Sequence, residues 1–248
     1  MGIFNLRKHQ MELLEFIHSQ PKNLMGVLCQ HELGLGKTAA FLIYARQVLG
    51  RYRARGVQAK FMVVVPKSAI VTWQAECQKV TPDIYRDMVL LPYSQIHNSG
   101  GLIQYYDIRL LCFDESHYLK SPETNRAESV AQMFEHIHLS KGRFEGGKVL
   151  LLTGTPMHNH AGDLYTSWAI LSAPNLQESA ARLRNKENYV KWMKNFANKK
   201  EVSWERRNGE VKHGSEYEGV ANPELLQQLL APIVHYRRAV DCIDLPEL

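Results

Sequence analysis

Five short apolar runs, at positions 24–29, 61–65, 88–91, 108–113 and 149–153, constrain this chain more than any other feature. The last two are interrupted only by Arg109 and the closing Thr153, and none of the five alternates apolar with polar residues. A strand with one wet face would alternate. An unbroken run fits a strand buried on both faces, as in a parallel sheet covered by helices. Between the runs lie stretches of helical period: Leu6, Leu13, Leu14 and Ile17 ahead of Pro21, then residues 37–52, then 70–80. Alternating strands and helices predict an α/β fold with a largely parallel sheet. Ligands of such sheets bind beyond the carboxyl ends of the strands, and each unusual polar motif here begins where an apolar run stops.

The bulk properties agree with one sizeable core: 248 residues, 45% hydrophobic and 22% charged. No apolar run is long enough to span a bilayer, and the N-terminus lacks a secretory pattern, so an intracellular setting is expected. Leu6 also stands where a myristoylation motif requires Ser or Thr. Cys29, Cys77, Cys112 and Cys242 form no CxxC pair and are expected as reduced thiols rather than a disulfide framework or zinc site. A formal charge of +5 is compatible with a phosphate-bearing partner without requiring one.

The first polar motif is His31 to Thr38, HELGLGKT. The general phosphate-loop pattern would need glycine at position 31, yet Gly34, Leu35, Gly36, Lys37 and Thr38 keep the groups that touch phosphates. Glycines let backbone N–H groups converge, the lysine reaches the outer phosphates, and the threonine hydroxyl ligates Mg²⁺. The helix opening at Lys37 adds its positive dipole end. A partner carboxylate at another strand end is then required. The run 108–113 ends in Asp114-Glu115-Ser116-His117, which offers Asp114 for the metal and Glu115 as base for an attacking water.

DESH resembles the DEAH-type box of superfamily-two helicases, and HELGLGKT resembles the DEMGLGKT motif of Swi/Snf-type DNA-dependent ATPases. LRKHQ (6–10), VVPKSAIVTWQAE (64–76), LPYSQI (91–96) and LLTGTPMHN (151–159) are similar, in order, to further motifs of that family's first RecA-like lobe. Residues 221–246 are similar to its tail segment, in a form nearest the annealing-helicase-like branch. The resemblance implies a RecA-like three-layer sandwich using ATP and Mg²⁺ and moving on duplex DNA. It implies Arg7 and Gln10 at the adenine, Lys37 at the β and γ phosphates, Thr38 and Asp114 on Mg²⁺, and Glu115 as hydrolytic base. His117, Thr153 and Thr155 would couple nucleotide state to DNA, and Lys67, Ser68, Tyr93 and Ser94 would face the DNA backbone. His31 replaces the family's usual aspartate and His158 its usual glutamine, while Tyr236 and Ala239 alter the tail around Arg237 and Arg238.

The family's ATPase closes between two such lobes, the second supplying an arginine finger. Residues 1–248 are accordingly expected to form a first lobe, with a helical and loop insertion over 161–222 and the start of a hinge at 236–248. The second lobe would come from elsewhere, in the same protein or in trans. The lobe alone is expected to bind nucleotide and hydrolyse it poorly. Two alternatives stand beside this: a strand-separating DEAH- or DEAD-type lobe acting on RNA or DNA, and a non-catalytic nucleotide- or DNA-binding module working with a partner chain.

Three further features have plain structural readings. Tyr189, Trp192 and Phe196 fall at i, i+3, i+7 and predict one buried helix face, within a stretch (185–214) of eight Lys or Arg against four Glu. Residues 206–219 predict a loop or hairpin. Arg51, Arg53 and Arg55 suit the end of a helix, where cations meet the negative pole of its dipole. The histidine pairs 136/138 and 158/160 lack a third ligand nearby.

Overall fold

The computed structural model describes residues 5–140, 144, 147–155, 160–205 and 211–242. The five apolar runs are strands β1 (Gly26–His31), β2 (Lys60–Val65), β3 (Met88–Pro92), β4 (Ile108–Phe113) and β5 (Lys148–Thr153). A separate antiparallel hairpin is made by β6 (Asn198–Glu205) and β7 (Val211–Glu218). It starts earlier than the glycine-rich stretch suggested, because its first strand uses the charged residues that follow Phe196.

A further strand, β8 (Val234–Arg237), joins β1 to β5 in a six-stranded sheet of order β3-β2-β4-β5-β1-β8 with every pairing parallel. The apolar runs do not announce β8. It is an edge strand in which only His235 is buried, so its residues need no continuous apolar character.

Helices cover both faces. On one lie α1 (Lys8–Ser19), α2 (Lys37–Arg53) and α3 (Ile70–Val80), whose apolar sides meet Val27, Cys29, Val63, Cys112 and Leu150. On the other lie α4 (Gly100–Tyr105), α5 (Asn125–Leu139), α6 (Tyr165–Leu171), α7 (Leu176–Arg184), α8 (Lys186–Phe196) and α9 (Pro223–Leu230), against Leu28, Met62, Leu111 and Leu151. Alternate residues of each central strand thus enter two cores, which is why the runs carry scarcely any polar position. The region 161–222 contributes to the second core: Tyr165, Ile170, Trp192 and Phe196 are buried in it, with Tyr189 packed alongside and Lys191 and Lys194 outward. Cys29, Cys77 and Cys112 are buried free thiols, and Cys242 is partly exposed. Among the described residues no helix is long and apolar enough to cross a membrane.

Candidate active site

The loop after β1 turns sharply. Gly34 and Gly36 have φ of 82° and 68°, the left-handed region that glycine enters without a Cβ penalty. Gly36 is also crowded: a Cβ there would lie 2.3 Å from Gln10 Nε2. That amide donates to Gly36 O at 3.0 Å and to Leu35 O at 3.4 Å, while Gln10 Oε1 accepts from Arg7 N at 2.8 Å. His9 Nε2 lies 2.9 Å from Leu35 O. The start of α1, which carries Arg7 and Gln10, is therefore fastened to the phosphate-loop motif.

Lys37 opens α2 with its ammonium donating to His31 O at 2.8 Å and Glu32 O at 3.3 Å. To reach a phosphate it must leave these two carbonyls. Thr38, next on the helix, is half-buried. Two strands away, Asp114 leaves β4. Its Oδ2 accepts from Trp73 Nε1 at 2.8 Å, its Oδ1 accepts from Glu115 N at 3.1 Å, and its carbonyl accepts from the Tyr93 hydroxyl at 2.8 Å. Burial pushes the Asp114 carboxyl above its ordinary value, against the Trp73 bond and the Lys37 charge. A half-buried carboxylate aimed by a tryptophan N–H and facing a lysine charge suits a divalent cation. It fits the Mg²⁺ that the loop implies.

Glu115 follows with φ 48° and ψ 52°, uncommon for a non-glycine residue. Its carboxylate lies 3.2 Å from His117 Nδ1, which is 3.4 Å from Thr153 Oγ1 at the end of β5. That hydroxyl accepts from Thr155 N at 3.1 Å. Glu115, His117, Thr153 and Thr155 thus form one chain of contacts across two strand ends. Lys67 and Ser68, in the turn after β2, and Ser94, after β3, are exposed on the same edge of the sheet. Tyr93 is buried, with the Arg126 guanidinium 5.6 Å from its ring centre, and so supports Asp114 from beneath. His158 and the rest of 156–159, like the hinge residues 243–248, lie outside the described residues.

A cluster that sequence reasoning missed stands beside the loop. His31 is fully buried, and its Nε2 lies 2.7 Å from His235 Nδ1, with His9 edge-on at 5.9 Å between ring centres. Burial and the neighbouring cations push His31 down to about 3 and His235 to about 4, so both rings are neutral at physiological pH. The charge that His31 could have lent the loop is absent. Glu32 N donates to Arg237 O at 3.1 Å, and Glu32 Oε2 accepts from Ala239 N at 2.7 Å. Arg237 pairs with Glu12 at 2.9 Å. The tail is thereby latched to the loop and to α1. The signal was a histidine at 31 and another at 235, too far apart in sequence to connect.

Residues 9–96 match the family profile described as SNF2-related domain. An uncharacterized ATP-dependent helicase of Mycoplasma pneumoniae is 27% identical over 175 residues, covering 66% of this chain and 16% of the relative. The ISWI chromatin-remodeling complex ATPase ISW2 of Saccharomyces cerevisiae is 26% identical over 193 residues, covering 67% and 15%. The chain therefore spans less than a fifth of the length of either relative. Among solved structures, the Sulfolobus solfataricus SWI2/SNF2 ATPase core in complex with dsDNA superposes with a TM-score of 0.58 at 19% identity, over 95% of this chain and 45% of that one. The match is one of fold: the sheet and its helical layers are arranged in the RecA-like way of that ATPase core.

Proposed function

We propose, from this similarity to Swi/Snf-type ATPases, that the chain is the ATP-binding lobe of a DNA-dependent ATPase that moves on or remodels duplex DNA. One observation carries the reading: the glycine loop with Lys37 and Thr38 shares a sheet edge with an oriented Asp114 and with the Glu115–His117–Thr153 contacts. In this reading Lys37 exchanges the His31 and Glu32 carbonyls for β and γ phosphate oxygens of ATP, and loop N–H groups take the remainder. Thr38 and Asp114 hold Mg²⁺, which neutralises phosphate charge when bound. Glu115 orients the attacking water and accepts its proton, with His117 steadying the carboxylate. Arg7 and Gln10 meet the adenine, which requires Gln10 to loosen its hold on Gly36 O.

Lys67, Ser68 and Ser94 serve the DNA backbone from the same edge, with Tyr93 beneath them. Thr153 and Thr155 pass the nucleotide state along that edge. A second lobe completes the cleft, and an arginine finger from it supplies a factor of about 10³–10⁵ in rate. The experiment is nucleotide binding and steady-state ATP turnover by residues 1–248, with duplex DNA, single strands, RNA or no nucleic acid. Lys37→Ala and Glu115→Gln serve as controls. Mg²⁺-dependent binding lost in Lys37→Ala, with turnover no greater than that of Glu115→Gln, is the expected result. Equal nucleotide affinity in wild type and Lys37→Ala would overturn the site. Stimulation by RNA but not duplex DNA would overturn the choice of substrate.

A further inference from the structure

The opposite, amino-terminal edge of the sheet holds a cavity of about 880 Å³, within the range of small-molecule sites. It opens between the ends of α1 and α2, the starts of β1 and β5, and the residues leading into α7. Among the described residues five cations line it, Lys22, Arg51, Arg55, Arg109 and Lys148, together with His18 and no carboxylate. Strands of six residues separate it from the phosphate loop by about 20 Å.

Part of this charge has a local explanation. Arg51 falls in the last turn of α2, where a cation complements the helix dipole, and Arg109 pairs with Asp107 at 2.7 Å while lying 5.2 Å from the Tyr52 ring centre. Lys22 and Lys148 stand apart from that helix end. Arg53, from the same helix end as Arg51 and Arg55, turns away to pair with Asp87 and Asp83 O, while those two line the cavity with Lys22, Arg109 and Lys148 from other parts of the fold. Lys148 sits at the mouth of β5 with its ammonium donating to Leu24 O at 2.5 Å. Its burial pushes its pKa below the ordinary lysine value. Concave walls of low dielectric concentrate such a potential, and an anion entering would relieve the repulsion among Lys22, Arg51, Arg55 and Lys148.

We propose that this cavity is a second anion site, taking a compact polyphosphate-bearing small molecule in a place independent of the ATP loop. Its guanidinium and ammonium groups would meet phosphate oxygens from several sides, Arg51 and Arg55 in forked pairs. Lys22 and Arg55, both exposed at the rim, admit the ligand, while Arg109 and Lys148 form the floor.

The test uses the whole chain carrying Lys37→Ala, so that the phosphate loop is removed as a source of signal. Sodium tripolyphosphate and a nucleoside triphosphate are titrated by calorimetry in chelator at low salt. One-site binding is expected, weakened at least about tenfold by Lys22→Glu with Arg55→Glu. It should be kept within about twofold by Lys191→Glu with Lys194→Glu, which changes the net charge equally on a distant helix. Whichever probe binds tighter tells whether the phosphates alone or a nucleoside as well are recognised. Because all four positions are exposed, circular dichroism melts of the variants should match the parent. Absence of binding to the Lys37→Ala parent would overturn the proposal. So would equal weakening by the two double variants, or displacement of the probe by duplex DNA, which would make the cavity part of a nucleic-acid track.

Discussion

The paired histidines beside the phosphate loop make the lobe sensitive to acid in a way that can be calculated. His31 and His235 are buried, 0% and 6% exposed, and their folded values of about 3 and about 4 lie well below the ordinary 6.5. In the unfolded chain both rings protonate near pH 6.5, whereas in the folded lobe neither does until far lower. The unfolded state therefore binds more protons below that value, and stability falls with pH. Above about pH 7.5 the rings impose no cost. At pH 5 the difference is about 1.5 pH units per ring, or about 2 kcal/mol each, rising as the pH approaches 4. Against a typical domain stability of about 5–15 kcal/mol, that is a large share.

Urea denaturation followed by tryptophan fluorescence at pH 7.5, 6.5, 5.5 and 5.0 measures this. The comparison is His31→Asn with His235→Leu, which abolishes both titrations. Wild type should lose about 3–4 kcal/mol more than the double variant between pH 7.5 and 5.0. Parallel curves for the two proteins would refute the reasoning, because they would mean that the rings titrate alike folded and unfolded.

Three other outcomes follow from the site. Gly36→Ala places a side chain in the left-handed region and drives Gln10 off the loop, so a loss of about 1–2 kcal/mol in chemical denaturation should accompany weaker nucleotide binding. Trp73→Phe keeps the buried ring but removes the N–H that lowers the Asp114 pKa. The acid limb of Mg²⁺-dependent nucleotide binding should move to higher pH, and an unmoved limb would count against Asp114 as the metal ligand. Lys67→Ala should reduce the slope of log DNA affinity against log salt by about 1, equally for unrelated duplex sequences.

The central strands could be read from sequence because burial on both faces leaves no room for polar residues. The glycine loop and the Asp114-Glu115 pair stand out because, in the proposed function, phosphate and metal chemistry would fix their residue types and spacing. Elsewhere the information is spread across the chain. β8 has one strand neighbour and an exposed Tyr236, so VHYR carries no apolar run. The cavity's cations come from positions 22, 51, 55, 109 and 148, and only the fold reveals that they share a space. Arg51, Arg53 and Arg55 read alike as a helix end, yet Arg53 pairs with Asp87 while the other two line the cavity. The buried role of Tyr93 was hidden for the same reason: its hydroxyl finds Asp114, 21 positions downstream.

The placement of β1 between β5 and β8 also sets a clock. His31 and His235 meet although they stand 204 positions apart, and β1 has no sheet partner made from the residues immediately around it. At about 5–20 residues per second, synthesis from the loop to β8 takes roughly 10–40 s. Throughout that interval the glycine loop has emerged without the strand that latches it, and loop-closure entropy favours the nearer pairing of β2 with β3. Nucleotide binding should therefore wait for β8, although the key lysine, Lys37, is made roughly 200 positions earlier.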